Sequence, residues 1–254
     1  MSLSAVWSLF TKSCGLVLAE DHLTIFSKYL LARLLLEAPE EITPVLFLEH
    51  ISEEIEGFVQ DYLADKPLFW PLHYYLWIHL NIESLSARKR VLAGLLEILR
   101  VAKLKQVPVY GLPTFDPSLC DSGAESLHAA WHGKITDRLT RHSGAPLILI
   151  GRLHASSQQS LFGTSLNHLL AIPAVGIEPV TTAIQPVLLH RSALVADTAH
   201  SMALAIPATV PNMAIFDEDW VLHYPQALDN SPEQCSQVVE NLALFEQAEG
   251  NSRY

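Results

Sequence analysis

A chain of 254 residues, half of them hydrophobic and 17% charged, carries enough apolar surface for a sizeable core, which excludes a disordered polymer. Its 27 acidic against 16 basic residues give a formal net charge of −11, and the longest basic run is Arg88-Lys89-Arg90. Such a balance argues against a phosphate backbone or an anionic membrane as partner.

The opening stretch MSLSAVWSLFTKSC has no basic n-region and meets Lys12 before any long apolar run, so it reads poorly as a secretory signal. Cys14 to Ala19 predicts a first strand, and Leu23 to Glu37 a helix ending before Ala38-Pro39. Pro44 to Leu48 predicts a second strand. Ser52 to Ala64 follows as a helix whose Glu53, Glu54 and Glu56 suit the positive end of its dipole. The aromatic stretch Leu68 to Leu80 predicts a short helix from Pro71, and Ser86 to Lys105 a long amphipathic one.

Val107 to Leu112 predicts the third strand, Ala124 to Arg141 a helix, Pro146 to Ile150 the fourth strand and Gln158 to Leu170 a further helix. Between Ala171 and Tyr224 short strand-like pieces are divided by prolines, which suggests an antiparallel edge or a β-rich appendage. Ser231-Pro232-Glu233-Gln234 is an N-cap signature for a last helix to about Glu246. The pattern predicts one α/β domain over 1–254, with a core at about 14–180 and a β-rich extension and final helix at about 181–246. Its sheet is expected to be mainly parallel and covered by helices on both faces.

Three widely spaced cysteines, Cys14, Cys120 and Cys235, form no CxxC pair, which argues against a disulfide framework or a zinc knuckle. No apolar run is long enough to span a bilayer. A cytoplasmic protein without a membrane span is expected, with leaderless secretion left open.

Ligands of parallel sheets bind beyond the carboxyl ends of the strands. There LVLAEDH places Glu20 and His22, VLFLEH places Glu49 and His50, and LILIGRLH places His154. Imidazoles and carboxylates together suit a divalent metal such as zinc, manganese, cobalt or iron, or act as a general acid and base on water. No HExxH, GxGxxG, Walker-type or GxSxG motif is present. Ser156 and Ser157 read as turn or cap residues rather than nucleophiles. The i, i+4 pair His128 and His132 reads as a solvated or interface helix face.

The order LVLAEDH, VLFLEH, a long helix running into Ala102 to Val109, then LILIGRLHA resembles the superfamily that joins Tiki metalloproteases, erythromycin esterases and ChaN-like haem-binding proteins. Gly151-Arg152-Leu153-His154 is similar to the second Gly-x-x-His motif of that group. Ala19-Glu20-Asp21-His22 is similar to the first, with alanine for glycine, and Glu49 falls at the glutamate after the second strand. Arg138 is the nearest counterpart of an arginine-bearing helix motif.

The resemblance implies a metal-dependent or Glu/His-dependent hydrolase of peptides or esters, with His22 and Glu49 activating water and Glu20, His22, Glu49 and His154 as metal ligands. It equally implies a haem or apolar-ligand binder, or an inactive interaction domain of the same fold. The expected partner is a small-molecule or peptide substrate, with a protein partner or homo-oligomer also open.

Overall fold

The computed structural model describes residues 3–80, 82–113, 125–155, 164–180, 187–190 and 220–230. The strands are β1 (Leu16–Glu20), β2 (Pro44–Leu48), β3 (Val109–Gly111), β4 (Ala145–Gly151), β5 (Ala174–Val180), β6 (Val187–His190) and β7 (Trp220–Pro225). They form one sheet in the order β3-β2-β4-β1-β5-β7-β6. Every neighbouring pair is parallel except β6 with β7. The helices are α1 (Leu3–Ser13), α2 (Phe26–Leu36), α3 (Glu53–Leu63), α4 (Leu72–His79), α5 (Leu85–Leu104), α6 (Glu125–Thr140) and α7 (Leu166–Leu170). This is the α/β fold expected from alternating strands and helices.

Strand alternation sorts the core into two layers. Leu16, Leu18, Leu46, Leu48, Leu147 and Leu149 pack with residues of α1 to α5, while Val17, Ala19, Val45, Phe47, Ile148 and Ile150 pack with residues of α6 and α7. Helices on both faces leave β1 and β2 buried at every position, which is why β2 reads as an unbroken apolar run and β1 as one up to Glu20.

Two expectations change. Leu3–Ser13 is a helix, with Val6, Trp7 and Phe10 buried against the core at helical spacing. The antiparallel edge expected after Ala171 is confined to β6, which lies at the margin of the sheet beside β7, while β5 and β7 continue the parallel sheet. Pro179 is tolerated because β1 pairs with β5 only as far as Gly176, so no ladder bond on that side is lost where the proline stands. The expected start of the helix at Gln158, the NMAIFD piece, Ser156, Ser157 and the last helix at 231–246 lie outside the described residues.

Gly94 in α5 lies against α2, where a Cβ would come within 2.6 Å of the Lys28 Cβ. Gly94→Ala gains about 1 kcal/mol of helix propensity, but overpacking against a buried side chain costs about 1–3 kcal/mol. Net destabilisation is expected, read as a lower urea midpoint. A midpoint at or above that of the parent would contradict the tight α2–α5 contact.

Candidate functional site

β2, β4 and β1 lie side by side, with Glu20 in register with Gly151 and Leu48 with Leu149. The residues at or just beyond their carboxyl ends therefore meet at one edge of the sheet. Glu49 takes its place by two bonds to β4: its backbone N–H donates to the Leu149 carbonyl at 3.2 Å, and its Oε2 accepts from the Gly151 N–H at 2.7 Å. A Cβ at Gly151 would stand 2.7 Å from His22 Nε2, so the glycine of this Gly-x-x-His stretch is the space the His22 ring occupies.

The four expected residues are linked in a row. Glu49 Oε1 lies 3.3 Å from His22 Nε2 and 3.5 Å from His154 Nε2. On its other side His22 turns Nδ1 toward Glu20 Oε1 at 3.8 Å, an ion-pair distance too long for a hydrogen bond. Ala19 packs among Val17, Ile148 and Ile150 in the apolar layer under α6, whereas Glu20, one residue on, meets Ser27 and Lys28 of α2. A cavity of about 350 Å³ opens over this edge, lined by Glu20, His22, Gly151, His154, Leu153 and Ile177 among others.

Three further groups belong to the cluster. Lys28 is fully buried and donates to Glu20 Oε1 at 2.7 Å and to the His22 carbonyl at 2.9 Å, while Ser27 Oγ donates to Glu20 Oε2. The sequence hint for Lys28 is slight: one lysine, with Arg33 five residues on, in a largely apolar helical run. His50 was legible at the end of VLFLEH but stood outside the expected ligand set; its Nε2 lies 3.3 Å from Glu20 Oε1. His128, expected on a solvated or interface helix face, is completely buried, with Nε2 at 2.9 Å from His154 Nδ1. Arg138 lies away from this edge, where it pairs with Glu56 at 3.1 Å and covers the Tyr110 ring.

Charges alternate along the row. Burial raises the Glu20 carboxyl, but the Lys28 ammonium and the neighbouring histidines outweigh it and hold the group at about 2. Burial likewise opposes ionisation of Glu49, yet His154 and His22 keep it well below its ordinary value. For His22 burial disfavours the cation, but Glu20 and Glu49 on either side push it up to about 10. His50 is held neutral, at about 3, by burial and by the Lys28 charge.

Metal binding was one expectation, and the donors give it a mixed fit. Donor atoms of Glu20, His22 and His50 lie within 4.8 Å of one another, and His22 Nδ1 and both His50 ring nitrogens make no hydrogen bond among the described residues. However, the oxygen that Glu20 would offer already holds the Lys28 ammonium at 2.7 Å, and its other oxygen holds Ser27. A divalent ion there meets a buried positive charge on its own ligand atom. An ion held by Glu20, His22 and His50 would thus share a Glu20 oxygen with a buried ammonium.

No protein-family model matches the sequence and no curated protein sequence matches it. Solved structures do. The type III effector HopBA1 aligns with a TM-score of 0.57 at 12% identity, over 88% of this chain and 93% of that one. ChaN of Campylobacter jejuni, known with cofacially bound haem, aligns with a TM-score of 0.50 at 13% identity, over 88% and 92%. The C-terminal region of Pasteurella multocida toxin, described as having a thiol-protease-like catalytic triad, aligns at 0.50 and 13% over 70% of this chain but 25% of that one. Identities this low show a shared fold, including that of a ChaN protein, and no particular family. No helix among the described residues is long and apolar enough to cross a membrane.

The buried pair sets two expectations. Lys28→Met strands the Glu20 carboxylate and should cost about 3–5 kcal/mol in urea unfolding, with most of it recovered when Glu20→Gln is added. A loss below about 1 kcal/mol would mean that Lys28 reaches solvent.

Stability should also fall toward both pH extremes. Glu20, depressed from 4.5 to about 2, contributes fully above about pH 4.5 and is lost as pH falls toward 2. His50, depressed from 6.5 to about 3, favours unfolding as pH drops through that interval. His22, raised from 6.5 to about 10, contributes below 6.5 and is lost as pH rises through 10. Its ring is 41% exposed, so water screens part of this effect. His22→Gln should flatten the alkaline limb, while Lys28 beside Glu20 and the buried His50 keep an acid limb; an alkaline limb that runs parallel to the parent's would refute the assignment.

Proposed function

We propose that this protein is a Glu/His-dependent hydrolase of ester or peptide bonds that works without a metal. One observation carries the reading: Glu49 Oε1 stands between His22 Nε2 at 3.3 Å and His154 Nε2 at 3.5 Å, beside a cavity whose walls include both imidazoles. A carboxylate so flanked orients one imidazole as base and keeps the other charged.

In this reading a water docked in the cavity attacks the carbonyl carbon of the substrate and gives its proton to His154. Glu49 stabilises the imidazolium that forms. The carbonyl π electrons move onto oxygen, and the His22 imidazolium, held by Glu20 and Glu49, stabilises that oxyanion. Collapse breaks the bond to the leaving group, which takes the proton back from His154. Leu153, Ile177 and Pro179 give the substrate an apolar wall. In the rival reading of haem binding the same cavity takes the ligand, and His22, held cationic between Glu20 and Glu49, is a poor axial ligand.

The test is a screen of activated esters and peptides with untagged protein. Glu49→Gln and His154→Ala should each lower kcat/KM by about 100-fold or more, and chelators should leave the parent rate unchanged. A blank screen, or Glu49→Gln at the parent rate, would remove the reading. Activity lost to chelators and restored by zinc would replace it with the metal-dependent one, and a saturable absorbance change on haem titration with a blank screen would replace it with the binding one.

A further inference from the structure

We infer that His128 is a positioning residue that fixes the ring tautomer of His154, so that Nδ1 of His154 always carries a proton and Nε2 is the nitrogen that exchanges one with the cavity. The inference deepens the hydrolase reading, because it says how the proposed base is held. Its structural half stands without that reading.

His128 Nδ1 lies 2.8 Å from the Thr164 carbonyl oxygen, which can only accept, so His128 Nδ1 carries the hydrogen. A neutral imidazole has one ring proton, which leaves His128 Nε2 as an acceptor. The atom facing it at 2.9 Å is His154 Nδ1, which must therefore donate. With Nδ1 committed, Nε2 of His154 is the nitrogen turned toward Glu49 Oε1 at 3.5 Å. The Thr164 carbonyl thus sets Nδ1 through His128, and the Glu49 carboxylate favours the imidazolium that forms when Nε2 takes up its proton.

Packing keeps the relay in place. His128 has no exposure and His154 has 8%. Their rings meet edge to face at 5.2 Å, and Trp131 lies 4.8 Å from the His154 ring, itself anchored by its Nε1–H to the Pro113 carbonyl at 2.8 Å. Burial pulls His128 below its ordinary range and so favours the neutral ring on which the tautomer argument depends; the Thr164 carbonyl opposes this in part, and His154 adds to it. Among the described residues His154 and Glu49 act on it electrostatically, and neither could accept a proton from His128 Nδ1 while Thr164 holds it.

Nitrogen-15 ring spectra of the full chain test this directly. In the parent, His154 Nδ1 should be protonated at every pH at which the fold persists, and His128 should show a protonated Nδ1 beside an unprotonated Nε2. His128→Leu removes the acceptor, so neutral His154 should shift to the Nε2–H form that free histidine prefers. His128→Gln, whose side-chain oxygen accepts in place of Nε2, should restore Nδ1–H.

On a substrate found by the screen, His128→Leu should lower kcat by about 10- to 100-fold with KM unchanged, and His128→Gln should recover most of it. An unprotonated His154 Nδ1 in the parent, or an unchanged tautomer in folded His128→Leu, would overturn the inference. If His128→Leu does not fold, the parent and His128→Gln spectra decide it. The expected spectra together with a blank substrate screen would support the positioning role and sink the hydrolase reading alone.

Discussion

The constraint on which the rest of the site depends is the charge of Lys28, held where water does not reach it. An ammonium taken out of water costs several kcal/mol unless carboxylate and carbonyl partners replace its hydration. Glu20 and the His22 carbonyl do so at 2.7 and 2.9 Å. Glu20 in turn is ionised because Lys28 is there, His22 is cationic because Glu20 and Glu49 are there, and Glu49 is ionised because two imidazoles flank it. The signs alternate along the row, so each charge is offset by its neighbour. An added divalent ion would break that alternation at Glu20.

Both faces of the sheet supply this row. Glu20 points to the layer of α2, which provides Ser27 and Lys28, and Gly94 of α5 leaves room for the lysine stem. His154 leaves the end of β4 toward α6, which provides His128 and Trp131. Between them Glu49 and Gly151 are tied by a backbone N–H to carboxylate bond at the sheet edge. The four strand-end residues thus rest on one edge of the sheet, and the groups that set their charge and orientation rest on helices from opposite layers.

HopBA1, ChaN and the Pasteurella toxin region share this architecture. A fold with such range places groups at the carboxyl edge without saying what they do there. In this chain, alanine at position 19 is compatible with the cluster, because its side chain packs in the apolar layer while Glu20 takes the opposite face. The glycine that makes room for a ring is Gly151.

Sequence alone determined the parallel α/β architecture, the strand runs at 44–48 and 174–180, and the presence of Glu20, His22, Glu49 and His154 just past strand ends, because these follow from local periodicity and from the geometry of parallel sheets. It did not reveal α1, whose apolar spacing was read only as a leader that failed, nor the parallel course of β5 and β7, which depends on where β1 stops. Only the tertiary structure decided which residues the four meet. The spacing that predicts a helix is the same for a solvated histidine and a buried one, and for a lysine that reaches water and one that does not. His128 and Lys28 gain their roles from contacts across 26 and 8 residues of sequence, and those contacts exist only once helices from both layers close on the sheet.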